Sequence, residues 1–211
     1  RFYTLDGQAV NQVGKNGEGM PTLLHQATKN HSHKLLDEIN RVLIQFDIGY
    51  KVEVATFEDQ KYKQESDVYA LQLVDKLTGV RVSPLDVGFG ISQVLPLIVQ
   101  SMSQNNQVII IEQPEVHLHP RLQTQLGSLI TNSFKKLNNQ FLIETHSEHL
   151  MLRLQKLIQE GELKPDEISV IYVDKNANGS KIYQLEVDEE GDFIDEWPSG
   201  FFEEDFDEIF C

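Results

Sequence analysis

The stretch Gln107-Val108-Ile109-Ile110-Ile111-Glu112-Gln113-Pro114-Glu115-Val116-His117-Leu118-His119-Pro120 decides how the rest of the chain is read. Gln107–Ile111 is too short for a helix and rich in β-branched residues, which suit a pleated surface, so it is expected as a strand. An apolar run without polar alternation is the pattern of a strand buried on both faces. It turns polar within one residue, at Glu112. Gln140–Ile143 repeats the pattern and ends in Glu144-Thr145-His146-Ser147. Between the two, a helix is expected to open near Pro120, with Leu122, Leu126, Leu129, Ile130, Phe134 and Leu137 on one side; Leu150–Ile158 supplies another after the second strand. Strand, helix, strand, helix implies parallel strands joined by right-handed crossovers.

Working outward, Gly88 and Gly90 precede a helix face at Ile91, Val94, Leu95, Ile98, Val99 and Met102, in which Pro96 is tolerable only near the first turn. Downstream, Ile168–Val173 reads as a third buried strand, and Lys181–Val187 returns beside it as an antiparallel hairpin across Asn176-Ala177-Asn178-Gly179. Upstream, Leu35, Leu36, Ile39, Val42, Leu43 and Phe46 mark one face of a helix capped near Ser32 or His33. Tyr50–Phe57 and Val68–Leu77 are extended, and Thr78-Gly79 turns into Val80–Leu85, a meander-like antiparallel region. Gly7, Gly14, Gly17, Gly19 and Pro21 make the start loop and turn. The fold class expected is α/β: parallel core strands flanked by helices, an antiparallel region before them and a hairpin after. The chain divides as a single domain, 1–211, with a loop-rich opening (1–31), helix and antiparallel strands (32–85), the core lobe (86–187) and an acidic, aromatic extension (188–211).

The net charge of −15 is unevenly placed: residues 186–211 hold twelve of the 33 acidic residues and no Lys or Arg, leaving 21 acids against 18 bases elsewhere. The body is therefore nearly balanced, and the charge sum alone does not exclude nucleic acid. Phe193, Trp197, Phe201, Phe202, Phe206 and Phe210 lie in the acidic end, whereas disordered acidic tails are usually poor in aromatics, so these rings are expected to dock. No apolar run approaches the roughly 18 residues of a membrane span. The only cysteine is Cys211, which rules out an internal disulfide and points to a reducing cytoplasm. A start at Arg1 with no charged-then-apolar leader reads as a fragment of a soluble protein.

In parallel α/β sheets, ligands bind at the carboxyl ends of the strands. A run of apolar residues ending in an acid there has the physical form of a Walker B element, in which a carboxylate holds magnesium through water beside nucleotide phosphates. His146, ending the next strand, faces the same crevice. Either group alone is as well read as a helix cap or a solvated loop residue. Their occurrence on consecutive strands, after a glycine turn and helix, favours a site.

Three segments in order, Val87-Gly88-Phe89-Gly90-Ile91-Ser92-Gln93, Ile111 to Pro120 and Glu144-Thr145-His146-Ser147-Glu148-His149-Leu150, resemble the C-terminal half of a prokaryotic ABC-type ATPase. The group is that of predicted AAA-family ATPases related to overcoming-lysogenisation-defect and SMC-like heads. The end Trp197-Pro198-Ser199-Gly200-Phe201-Phe202 is similar to a C-terminal extension in one branch, so the resemblance spans roughly residues 80–205. It implies an ATP-binding and ATP-hydrolysing P-loop NTPase head with ATP and Mg2+ as cofactors. Glu112 would be the Walker B acid and magnesium residue, and His146 the switch histidine at the terminal phosphate. Gly88, Gly90, Ser92 and Gln93 would form the signature segment, which completes the site of the opposite subunit in a head-to-tail dimer with the nucleotide between. Related heads act in DNA repair, chromosome organisation and phage defence, which makes a nuclease or nucleic acid the analogous partner.

Two departures stand out. The usual water-polarising glutamate after the Walker B acid is Gln113 here; glutamine orients water without taking its proton, so slow turnover is expected, with Glu115 or His146 as a substitute base. A P-loop needs G-x-x-x-x-G-K-[ST], yet Gly14-Lys15 is followed by Asn16, and position 9 is Ala. The expectation is that a separate or preceding N-terminal lobe supplies it and that this chain alone is inactive. Two other readings stand beside the ATPase. One is a nucleotide-gated interaction module with negligible hydrolysis. The other is a metal-dependent hydrolase built on His117, His119, His146 and His149 with Glu112 and Glu115, since His-x-His is a ligand spacing. Against the latter, strand and Pro-initiated helix already explain the segment as a loop. Lys135-Lys136 reads as solvated helix surface.

Overall fold

The structure is a computed structural model that describes residues 2–4, 12–29, 33–59, 64–177 and 179–195. Strand β1 (Phe2–Thr4) precedes a glycine-rich turn, where Gly14 and Gly17 take φ of 81° and 76°, and helix α1 (Met20–Lys29) follows directly. The start is thus not all loop: Pro21 sits in the first turn of α1, where its missing N–H leaves nothing unbonded. Leu23, Leu24 and His25 are buried, the imidazole stacked on Tyr69 with ring centroids 4.2 Å apart. Helix α2 (His33–Gln45) follows the expected apolar face, and Asn40 fastens it to strand β2 (Tyr50–Asp59): its amide oxygen accepts from Val52 N–H at 2.7 Å and its amide nitrogen donates to Val52 C=O at 3.1 Å. Strand β3 (Gln64–Asp75) pairs antiparallel with β2 along one flank; β1 and β4 (Arg81–Val82) share the other.

Helix α3 (Phe89–Ser103) holds Pro96 in its interior rather than near its first turn. The ring lies against Gly17, where an added Cβ would come within 3.0 Å of the Pro96 Cγ, so the glycine makes room for the proline. Strand β5 (Val108–Glu112), helix α4 (Pro120–Leu137), strand β6 (Gln140–Glu144) and helix α5 (Glu148–Gln159) follow, and β5 and β6 pair in parallel, Glu112 opposite Glu144. The main core lies between α1, α2, α3, α4, the β2–β3 sheet and the helix-facing side of β5–β6, with Leu24, Ile39, Val52, Leu73, Ile98 and Leu126 fully buried.

Two expectations about this sheet are overturned. β5 and β6 are not buried on both faces: Ile109 is buried on the helix side, but Val108, Ile110 and Leu142 are 67%, 70% and 62% exposed on the other. Among the described residues nothing covers that side. The third strand does not join them either. Strands β7 (Val170–Asn176) and β8 (Gly179–Leu185) form the expected hairpin, but as a separate antiparallel sheet whose Ile171, Val173 and Ile182 are exposed.

A satellite core of Leu157, Ile158 and Leu163 seats Phe134, Ile168 and Val187. The acidic extension begins docked: Phe193 bridges to Val187, and buried Gly191, at φ 85°, approaches the Gln155 carbonyl so closely that a Cβ would collide with it. Trp197, Phe201, Phe202, Phe206 and Phe210 fall outside the described residues. No described helix is long and apolar enough to cross a membrane.

At the end of β5–β6 away from the candidate site, Asn139 is fully buried. It accepts from Gln107 N–H at 2.9 Å and donates to Gln104 C=O at 2.9 Å and the Ser133 hydroxyl at 3.0 Å. Asn139→Ala strands these groups without water and is expected to lower unfolding free energy by about 3 kcal/mol in urea titrations. A loss below about 0.5 kcal/mol would show that the hub is dispensable.

Glu167, in a 3-10 turn at Pro165–Glu167, accepts from the Lys135 ammonium and the Lys164 amide, which hold its carboxyl below the ordinary carboxylate value. Because the folded value is the lower one, this pairing contributes fully above the ordinary value and fades as pH falls through the lowered one. The stability difference between the parent and Glu167→Gln should accordingly shrink as acid is added, which parallel denaturation at several pH values checks.

Candidate site at the strand ends

Where β5 stops, the backbone leaves the sheet abruptly. Gln113 donates its N–H to Glu144 C=O at 2.8 Å, one further rung of the parallel ladder, and takes φ of 46°. That left-handed conformation is uncommon for a residue with a Cβ. His117 does the same at φ 61°, and turns closed by Val116 N–H to Gln113 C=O (3.3 Å) and Leu118 N–H to Glu115 C=O (2.9 Å) link them. Leu118 anchors the loop in the core, and the His119 side chain caps α4 by accepting from Arg121 N–H at 3.3 Å.

Glu115 is the fastener of this corner. Its carboxylate accepts from His146 N–H at 2.7 Å and from the Thr145 hydroxyl at 2.8 Å, tying the loop after β5 to the loop after β6. The Thr145 hydroxyl also accepts from Ser147 N–H at 3.0 Å. Buried Ser147 caps α5, accepting from Leu150 N–H at 3.0 Å and donating to the Gln123 amide oxygen at 2.6 Å. Each carboxylate oxygen of Glu115 thus holds one group of the loop after β6.

An open cleft of about 930 Å³ adjoins the corner, bounded by the Gly14–Gly17 turn, by Ser92, Gln93, Pro96 and Gln100 of α3, and by β5 through Glu112 and Gln113. Of the residues singled out in the sequence, Glu112, Gln113, Ser92 and Gln93 thus line one space. Gly88, Gly90, Glu115 and His146 do not line it. Gly90 has a packing reason of its own: a Cβ there would come within 2.9 Å of the His117 carbonyl, so the N-terminal turn of α3 rests directly on the loop from β5. The Ser92 hydroxyl donates back to Pro84 C=O at 2.8 Å, and Gly88 is the exposed N-cap of α3. Lys15, set aside in the sequence for want of a P-loop, lies in the cleft with Glu112; its place next to Gly14 was the available signal.

The metallohydrolase arrangement is not formed. Among the described residues no three His, Cys, Asp or Glu side chains converge as a metal site. Glu115 is engaged with the next loop and His119 with its helix cap.

A family model described as the AAA ATPase domain matches residues 10–151. The chain belongs to this family. The match takes in every candidate site residue and begins well before residue 80, where the resemblance read from the sequence began. A second model, described as a protein of unknown function (DUF3696), matches residues 163–210, the hairpin and acidic extension. Among solved structures the chain is similar to an Smc head bound to the C-terminal winged-helix domain of ScpA, at 10% identity and a TM-score of 0.55, over 82% of this chain and 48% of that one. It is also similar to the Smc head with an extended coiled coil bound to the C-terminal domain of ScpA from Pyrococcus furiosus (10%, 0.54, 81% and 41%). A third is the Smc head with a coiled coil and joint from Pyrococcus yayanosii (11%, 0.52, 81% and 30%). These likenesses show the fold, that of a P-loop NTPase head, and the chain spans half or less of the length of each. No curated protein matches.

Replacing Glu115 by Ala removes two hydrogen bonds to a charged acceptor and is expected to destabilise the chain by about 2 kcal/mol. Amide exchange at His146 should accelerate more than exchange in β2 or β3. Equal acceleration everywhere would mean that Glu115 supports global stability and not this corner.

Proposed function

We propose that this chain is the signature-bearing half of an ATP-binding and ATP-hydrolysing head, with nucleotide sandwiched in a head-to-tail dimer whose closure is passed to an effector. The observation that carries the reading is the strand-end corner. An exposed carboxylate, Glu112, stands at the carboxyl end of a parallel strand in an open cleft, and a hydrogen bond from the His146 backbone to Glu115 ties the loop after the next strand to the loop that follows Glu112. Ligand position and polar chemistry agree with family membership.

The donor set fits magnesium carried in with a nucleotide. A lone acid at a strand terminus, without further converging ligands among the described residues, is how Mg2+ is held through one carboxylate, waters and substrate phosphates, not by an all-protein cage. The metal, when bound, neutralises charge on the phosphates. In this reading Glu112 would hold the metal, His146 would contact the terminal phosphate, and Gln113 would position the attacking water. The exposed N-terminus of α3 at Gly88 offers N–H groups to the nucleotide of the opposite subunit. A P-loop lobe covers Val108, Ile110 and Leu142, and burying each such side chain contributes about 1.5–3 kcal/mol.

Gln113 supports a second reading, a nucleotide-gated clamp that holds ATP without turning it over, because an amide accepts no proton at neutral pH. The two separate in protein that includes its P-loop lobe. For the ATPase, phosphate release is expected, falling about 100-fold or more in Glu112→Gln or His146→Ala. Gln113→Glu should raise turnover, roughly 100-fold if a general base is what is lacking. Tight ATP binding and dimerisation with no phosphate release would favour the clamp; no ATP binding at all would refute both.

A further inference from the structure

The cleft along β5 is lined, among the described residues, by a single cation and a single acid, Lys15 and Glu112. The rest of its lining is uncharged: amides such as Gln93, Gln100 and Gln113, the Ser92 hydroxyl, and apolar side chains of α3 and β5. Neither charge is committed elsewhere, since neither Lys15 nor Glu112 forms an ion pair among the described residues. The turn that carries Lys15 is fastened to α3 at two points. Val13 N–H donates to the Gln100 amide oxygen at 2.7 Å, and Gly17 lies against the Pro96 ring. Gly14 and Gly17, both at positive φ, close the turn through Gly17 N–H to Gly14 C=O at 3.2 Å. The acid nearest in sequence, Glu18, accepts from Asn16 N–H at 2.8 Å and braces the same turn.

Charge balance decides what such a cleft takes. A triphosphate with its magnesium ion stays net negative, because the metal neutralises only part of it, and Glu112 adds a further negative charge beside it. A cation in the same space offsets that repulsion, and an ammonium group binds phosphate as a mobile point charge. Resting on the reading of Glu112 as the magnesium residue, we propose that Lys15 binds the polyphosphate of the same nucleotide. Lys15 does so without a P-loop motif, from a glycine turn that precedes α1, and in addition to the contacts a P-loop lobe makes. The ligand class is a magnesium-bound polyphosphate, and a nucleoside alone gains nothing from this residue.

Equilibrium binding to protein that includes its P-loop lobe tests this. Lys15→Met keeps the stem and removes the charge; it should raise the Kd for MgATP about tenfold, while Lys15→Arg should stay within about threefold of the parent. Magnesium tripolyphosphate, which has the phosphates without the base, should lose the same factor. Adenosine, which has the base without the phosphates, should bind parent and variant alike. The gap for MgATP should also narrow as KCl is raised, because Lys15 is exposed and salt screens an exposed charge, whereas a packing role would not respond in this way. Equal MgATP affinity in parent and Lys15→Met overturns the assignment of Lys15 and leaves the reading of Glu112 standing. An equal loss of adenosine affinity overturns it as well, since the variant would then have damaged the fold. A parent that binds no MgATP, or a Glu112→Gln variant that binds ATP with unchanged magnesium dependence, overturns the reading of Glu112 and the assignment of Lys15 with it.

Discussion

The carboxylate of Glu115, bonded at once to the His146 amide and the Thr145 hydroxyl, governs the geometry of the strand-end corner. Parallel strands do not exchange a tight turn; each leaves the sheet by its own loop, and without a cross-tie the two loops would move independently. Here a side chain three positions beyond Glu112 spans the gap. His146 is placed by this bond to its backbone, and the Thr145 and Ser147 hydroxyls extend the tie to the start of α5 and to Gln123 of α4. Charge-assisted bonds of this kind are stronger than neutral ones, so the tie between the two loops is a firm one.

The same economy appears at the opposite end of the sheet, where buried Asn139 serves α3, α4 and the start of β5 with one amide. The pair β5–β6 is thus pinned at both ends by polar side chains and along one face by the apolar packing of α3 and α4. Gly90 under the His117 carbonyl packs the N-terminal turn of α3 directly against the loop from β5.

Elements with a strong period were legible in the sequence: α2, α4 and α5 fall where apolar spacing and caps place them, and the parallel β5–β6 pair follows from its crossover. Helix α1 was hidden because Pro21 and the glycines before it punctuate the chain in either of two ways, as a loop or as a helix start. Pro96 inside α3 was misjudged because the space that admits its ring is made by Gly17, distant in sequence. The apolar faces of β5 and β6 were read as buried because an unbroken apolar run carries no mark of which of its two faces a neighbour covers. Glu112 and His146 announce themselves at strand ends. The clamp formed by Glu115 does not, since no local pattern shows that a loop carboxylate folds back on a strand end 30 residues further along. Lys15 was likewise discounted by its failed motif and restored only by its place in the cleft.

The bare side of β5–β6 also bears on how such a chain survives its own synthesis. Val108, Ile110 and Leu142 form a greasy surface flanked by strand edges that nothing pairs among the described residues, and such edges are templates for aggregation. Chains emerge from the ribosome N-terminus first, and domains fold as units in that order. On the proposed reading, in which a P-loop lobe covers this sheet, a lobe made before the sheet would be waiting when the sheet appeared, and the hazardous interval would close within the time needed to dock one lobe on another. The arrangement of the gene would then act as a chaperone in time, and the hydrophobicity needed for a firm joint between lobes could be kept without the burden of an aggregation-prone intermediate.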